Sequence, residues 1–238
     1  MFRVLVVCTA NICRSPATAT LLRRAFSAVH LDTHIAVTSA GVAATAGSPA
    51  CDLSSALVGE FVARSYAGQV GTPPPAHPHG ARRISPDMLA QSDLVLCLDR
   101  SHLAEVLPQF PEVQAKTFTL RQAARLSQVV AGYIAPGQKP PGSILMPTGV
   151  EERLRWWVSA MDSVRGQMPP VTGHSEASHR NPLSWSDHDV PDPHVLGYQV
   201  HGAAIELAEA AVGQIATVVD QVVAFGRDGA AGTATQDI

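Results

Sequence analysis

Residues Cys8-Thr9-Ala10-Asn11-Ile12-Cys13-Arg14-Ser15-Pro16 carry the types and spacing that phosphoryl transfer requires. A cysteine closes an apolar run, and an arginine follows six positions later at the start of a helical stretch. The amides of such a turn and the N-terminus of such a helix converge on one point and make an anion cradle. The planar fork of Arg14 can take two phosphate oxygens at once. The same positive field favours a nucleophilic thiolate at Cys8, so cradle and nucleophile are one object. Asn11 suits the left-handed backbone that a tight cradle needs. Ser15 is placed to donate a hydrogen bond to the sulfur and ease its departure. Chemistry of this kind calls for no cofactor.

The flanking pattern supplies elements able to hold that turn. Val4 to Val7 is a continuous β-branched and aliphatic run, typical of a strand buried on both faces. Pro16 suits the first turn of a helix through about Phe26, with Leu21, Leu22, Ala25 and Phe26 inward and Arg23 and Arg24 outward. Further strands are expected at Ile35 to Thr38, Asp93 to Leu98 and Thr117 to Leu120. Helices are expected at Leu53 to Tyr66 and Tyr198 to Phe225. Alternation of this kind predicts an α/β fold: one doubly wound parallel sheet of about four strands with helices on both faces. The phosphate-binding domain should span residues 1–225. Within it, a Pro-, Gly-, Ser- and His-rich insertion at about 131–190 carries one helix, Val150 to Val164, with Leu154, Trp157, Val158 and Met161 on one stripe. Residues 226–238 read as a disordered tail, and Gly71 to Pro75 as a stiff surface loop.

Composition excludes several classes. With 17 Lys+Arg against 20 Asp+Glu the net charge is −3, which disfavours nucleic-acid and anionic-membrane binding. Hydrophobic residues at 46% and charged residues at 16% mark a folded chain. Four cysteines are too few for a disulfide framework, so a cytoplasmic protein with reduced thiols is expected. The apolar C-terminal helix carries Glu206, Glu209 and Asp220 and is not expected to span a membrane. Ten histidines, among them His174, His179, His188, His194 and His201, come without Cys-x-x-Cys or His-Glu-x-x-His spacing. They are read as loop residues, with no metal site.

The segment from Cys8 to Pro16 resembles the phosphate loop of the low-molecular-weight protein tyrosine phosphatases. Ser39-Ala40-Gly41 with Gly47-Ser48-Pro49 looks like that family's second-strand segment. His79-Gly80-Ala81-Arg82 and Asp93 to Asp99 look like its third-strand region, and Val190-Pro191-Asp192-Pro193 looks like its general-acid loop. The resemblance implies Cys8 as nucleophile and Arg14 as phosphate ligand. Thr9, Ala10, Asn11, Ile12, Cys13 and Ser15 would line the cradle, and Ser39 and His79 would brace it. Cys13 would be able to form a reversible disulfide with Cys8, whereas Cys51 and Cys97 are read as inert. Asp192 would protonate the leaving oxygen and then activate water, with Asp187 and Asp189 as competitors in the same stretch. A phosphorylated protein is the expected partner, and the chain itself is expected to be a monomer or weak dimer.

The chain departs from the family pattern in three places. Ala10 replaces the usual Gly, His194 stands where an aromatic normally follows Asp-Pro, and Thr45 to Gly47 lacks an aromatic. The slot for a phosphotyrosine ring would then be walled by His194 and Trp185. Ile12 favours tyrosine over arginine as the phosphorylated residue, since family members acting on phosphoarginine tend to carry Thr there. Two other readings are weighed. An arsenate reductase of the same fold would need two relay cysteines, and nothing follows Cys97. A weakly active phosphoprotein-binding module would not need Cys8, Arg14, Ser15 and Asp192 together.

Overall fold

The computed structural model describes residues 1–66, 79–134, 146–167 and 188–225. The loop at 71–75, Trp185, Asp187, His174, His179 and the tail at 226–238 lie outside the described residues, as does most of the stretch read as an insertion. Four parallel strands make one sheet in the order β2-β1-β3-β4: β1 (Phe2–Cys8), β2 (Ile35–Gly41), β3 (Leu94–Cys97) and β4 (Thr117–Thr119). Both faces are covered, as parallel sheets require. Along β1, Val4, Val6 and Cys8 enter one apolar cluster while Leu5 and Val7 enter the other. The chain leaves β1 for β2 on one side and reaches β3 on the other. The carboxyl ends of β1 and β3 therefore flank a topological switch point, where α/β sheets hold ligands.

On the larger face lie α1 (Arg14–Ala28), α5 (Leu120–Ile134), α6 (Val150–Ser163) and α8 (Val200–Ala224), with α2 (Asp52–Tyr66) against α1 and α8. On the other lie α3 (Pro86–Gln91) and α4 (Arg100–Val106), contributing Leu89 and Val106. A short turn, α7 (Pro193–Leu196), precedes α8. By length and composition α8 could cross a membrane; here its inward face packs on α1 and α5.

Several boundaries differ from the pattern. Helix α1 opens at Arg14, with Cys13 as its N-cap, because the Ala17 N–H already bonds the Cys13 carbonyl at 3.2 Å. Arg23 does not face out: it folds back and donates to the Val37 carbonyl at 3.1 and 2.8 Å. Helices α3, α4 and α5 were not read. Helix α5 begins directly where β4 ends, and its buried stripe mixes Ala123, Ala124 and Ser127 with Leu126 and Val130. It runs through 131–134, so those residues belong to a core helix. In α6, Leu154, Trp157, Val158 and Met161 are buried, and the Trp157 indole donates to Ser127 at 3.2 Å. Removing that ring would cost about 3–5 kcal/mol.

Candidate active site

The loop that joins β1 to α1 is organised around Asn11, which is fully buried and has φ 55°. Its side-chain amide donates to Ser15 Oγ and Ser39 Oγ, both at 2.9 Å. Its Oδ1 accepts the Arg82 N–H at 2.9 Å, and its backbone carbonyl accepts from His79 Nε2 at 2.6 Å. A carbonyl only accepts, so His79 carries its proton on Nε2. One residue thus ties β1, α1, β2 and the segment at 79–82 together. Ser39 and His79 occupy the bracing positions expected of them. Arg82 was quoted only as part of a motif, yet its guanidinium also donates to the Ser39 carbonyl at 3.3 and 2.9 Å.

The sulfur of Cys8 sits at the floor of this loop. The Asn11 N–H donates to it at 3.3 Å, and Ser15 Oγ lies at 3.0 Å. When the sulfur is a thiolate it has no proton to give, so Ser15 is the donor. Thr9 is exposed at the rim and Ala10 and Ile12 are half-buried beside it. Ala10 is not among the described residues with positive φ, so its methyl is tolerated where the family has Gly. Gly41 is the closest neighbour from β2. A Cβ there would stand 2.4 Å from the Thr9 carbonyl oxygen and 2.8 Å from the Asn11 nitrogen.

Arg14 is buried, and both terminal nitrogens of its fork are engaged. Nη1 donates to Asp99 Oδ2 at 2.6 Å and to the Val190 carbonyl at 3.1 Å. Nη2 donates to Asp192 Oδ2 at 2.5 Å and to Thr9 Oγ1 at 3.3 Å. Two carboxylates compensate a charge that could not otherwise be desolvated. They also place Asp192, 178 positions away in sequence, at the mouth of the loop. Its other oxygen accepts the His194 N–H at 2.9 Å and caps α7. Asp189, the described competitor, is clasped by Arg100 at 3.0–3.3 Å and is not aimed at the loop.

A model of the family described as low molecular weight phosphotyrosine protein phosphatase matches residues 3–129. The chain belongs to this family. It is 35% identical over 130 residues to the low molecular weight protein-tyrosine-phosphatase Etp of Escherichia coli K12, covering 55% of this chain and 76% of that protein. It is 32% identical over 165 residues to Wzb of Salmonella typhi, covering 69% and 97%. In fold it resembles Vibrio vulnificus Wzb solved with benzylphosphonate, with TM-score 0.53, 20% identity, and 91% and 97% coverage.

Asp99, quoted only as the end of a motif, and His102, not singled out at all, hold roles at the site that the sequence reading did not assign. Asp99 caps α4 by accepting the Ser101 and His102 N–H groups at 2.8 and 3.3 Å, while its Oδ2 holds Arg14. Burial would raise its pKa, but His102, the Ser101 hydroxyl and Arg14 outweigh burial and hold it below the usual carboxylate range. His102 is fully buried. Its Nδ1 accepts the Asp99 N–H at 3.2 Å, so Nε2 bears the proton and donates to Thr9 Oγ1 at 3.0 Å. Burial pushes this imidazole down to about 4, which keeps it neutral. The available signal was Asp99 with His102 three residues on, directly after a buried strand beside β1: a capping-box spacing at the carboxyl edge.

One expected lining residue points elsewhere. Cys13 faces Ser54, with Sγ and Oγ 2.7 Å apart, and burial pushes its thiol up to about 12 despite that hydrogen bond. His194 is exposed, with its ring edge-on to His201, centroids 5.4 Å apart. Cys97 is entirely buried in β3, and burial raises its thiol as well, in keeping with an inert role.

Proposed function

We propose that the protein is a phosphotyrosine protein phosphatase that works through a phosphocysteine intermediate. The observation that carries this reading is the joint placement of Cys8, Arg14 and Asp192. The sulfur lies beside the Asn11 N–H and the Ser15 hydroxyl, and the arginine that would hold phosphate is already paired with the carboxylate that would act as acid. An arriving phosphate dianion offers the fork of Arg14 two oxygens and displaces Asp192 toward the leaving group. Released from Arg14, the Asp192 carboxylate takes up one proton from solvent; the Cys8 thiolate then forms the S–P bond as the P–O bond to tyrosine breaks, and Asp192 gives that proton to the phenolic oxygen. In the second half, Asp192 takes a proton from water as that water attacks phosphorus. The S–P bond breaks, and the Ser15 hydroxyl stabilises the departing thiolate. Each proton transfer contributes about 10²–10⁴ in rate.

Hydrolysis of p-nitrophenyl phosphate by the wild type and Cys8→Ser tests this. The serine variant should lose all turnover and still bind phosphate, because the cradle remains. Retention of a tenth of the activity would overturn the covalent route. Ile12 and the names of Etp and Wzb support phosphotyrosine in proteins as substrate. A rate comparison on phosphotyrosine and phosphoarginine peptides decides that point.

A further inference from the structure

One cluster of reactive side chains plays no part in phosphate chemistry. Cys13 caps α1, Cys51 precedes α2, His194 lies in α7 and His201 in the first turn of α8, yet their ligand atoms all lie within 4.8 Å of one another. Cys51 Sγ stands 3.5 Å from His201 Nε2. Two ligands on one tetrahedral zinc, with Zn–S of about 2.3 Å and Zn–N of about 2.0–2.1 Å, stand about that far apart. Independently, His201 is buried and its Nδ1 lies 2.9 Å from the Tyr198 carbonyl, which can only accept. The ring proton is therefore on Nδ1, and the lone pair of Nε2 faces the cluster. Metal-bound histidines are held in this way by a carbonyl behind the ring. Tyr198 also stacks on His201, rings 13° from parallel, which fixes the ring plane. His194 is exposed and free to swing the remaining distance.

We propose that Cys13, Cys51, His194 and His201 form a Cys₂His₂ site for Zn²⁺. Two thiolates and two imidazoles select a borderline-soft cation over magnesium or calcium. On binding, both thiols release their protons to solvent and four protein ligands complete the tetrahedron, leaving no open position for substrate or water. The site is therefore structural. Its place gives it a consequence: Cys13 adjoins Arg14, and His194 is two residues past Asp192. A bound ion joins the phosphate loop to the acid segment through two short bonds, to Cys13 and to His194.

Metal-free full-length protein titrated with Zn²⁺ should take up one equivalent, counted by elemental analysis, and its melting temperature should rise. With Co²⁺ as the probe, one equivalent should give the intense visible bands of a tetrahedral ion and thiolate-to-cobalt charge transfer in the near ultraviolet. Cys51→Ser should halve the charge-transfer intensity, weaken binding at least about tenfold and abolish the thermal shift. Cys8→Ser should keep the full spectrum. Uptake below half an equivalent, a weak octahedral cobalt spectrum, or unchanged binding in Cys51→Ser would overturn the site. So would loss of the spectrum in Cys8→Ser, which would place the metal on the catalytic thiolate. His201→Gln gives a second check, and Cys51, half-buried, keeps the test available should that variant fail to fold. Hydrolysis of aryl phosphate by metal-free protein tests the phosphatase reading separately.

Discussion

The phosphate loop and the segment at 188–199 bring equal partners to one site but are built in opposite ways. The loop is made of eight consecutive residues, Cys8 to Ser15, and Asn11 at its centre donates to Cys8 and Ser15 within it and to Ser39 of β2. The acid segment has almost no structure of its own beyond one short turn, α7. It is held from outside: the Val190 N–H donates to the Leu98 carbonyl at 2.7 Å, Arg14 takes the Val190 carbonyl, Arg121 takes the Asp189 carbonyl, and Arg100 grips the Asp189 side chain. A cradle must be preorganised to bind a dianion. An acid that has to leave Arg14 when phosphate arrives is better carried on a segment tied at a few points.

If the loop is the rigid partner, the worst damage is backbone damage. Gly41→Ala pushes a methyl into the Thr9 carbonyl and the Asn11 nitrogen. It should lower kcat/KM by more than about a hundredfold through misplacement of the cradle, and phosphate should lose potency as an inhibitor. A variant with near-wild-type phosphate inhibition would show that the loop yields more than this packing implies. Asp192→Asn comes next. Aryl phosphates with basic leaving groups should slow by about 10²–10⁴ while those with acidic leaving groups suffer far less. Equal losses across the series would reduce Asp192 to a clamp on Arg14.

Asp189→Asn sharpens the contrast from the other side. Removing the charge that Arg100 holds should loosen the acid segment alone. A drop of about threefold to tenfold in kcat is expected, with phosphate inhibition unchanged; weaker phosphate binding would mean that the two regions are not separable. The smallest effect at neutral pH concerns His102. Its pKa is about 4 in the folded protein and 6.5 when exposed. Between those values the unfolded chain binds a proton that the native one refuses. The stability gained from a neutral His102 is therefore complete above about pH 6.5 and lost as pH falls toward 4, by about 3 kcal/mol. His102→Gln should flatten that acid limb of the denaturation profile. Asp99, held low, pulls in the same direction at more acid pH.

How far each part was legible follows from how it is built. The phosphate loop could be read because its chemistry is local: strand end, cradle and helix start are contiguous, and Asn11 and Ser15 are types chosen for one backbone shape. The sheet was legible for the same reason, since runs such as Val4 to Val7 announce burial on both faces. Helix α5 was not, although its apolar stripe is well segregated, because it begins directly where β4 ends and no turn residue separates the two. Arg23 misled, because the outward face of a helix is defined by neighbours far along the chain.

The order of residues alone determined the nucleophile, the arginine and the parallel α/β frame, since each follows from backbone geometry within about ten positions. Only the tertiary structure set Asp192 against Arg14 and Asp189 against Arg100, recruited Asp99 and His102 behind Arg14, and gathered Cys13, Cys51, His194 and His201 into one cluster. The reason is physical. A buried cation accepts whatever carboxylates the fold brings within about 3 Å, and a cluster drawn from four elements depends on how helices pack, which no spacing in the chain records.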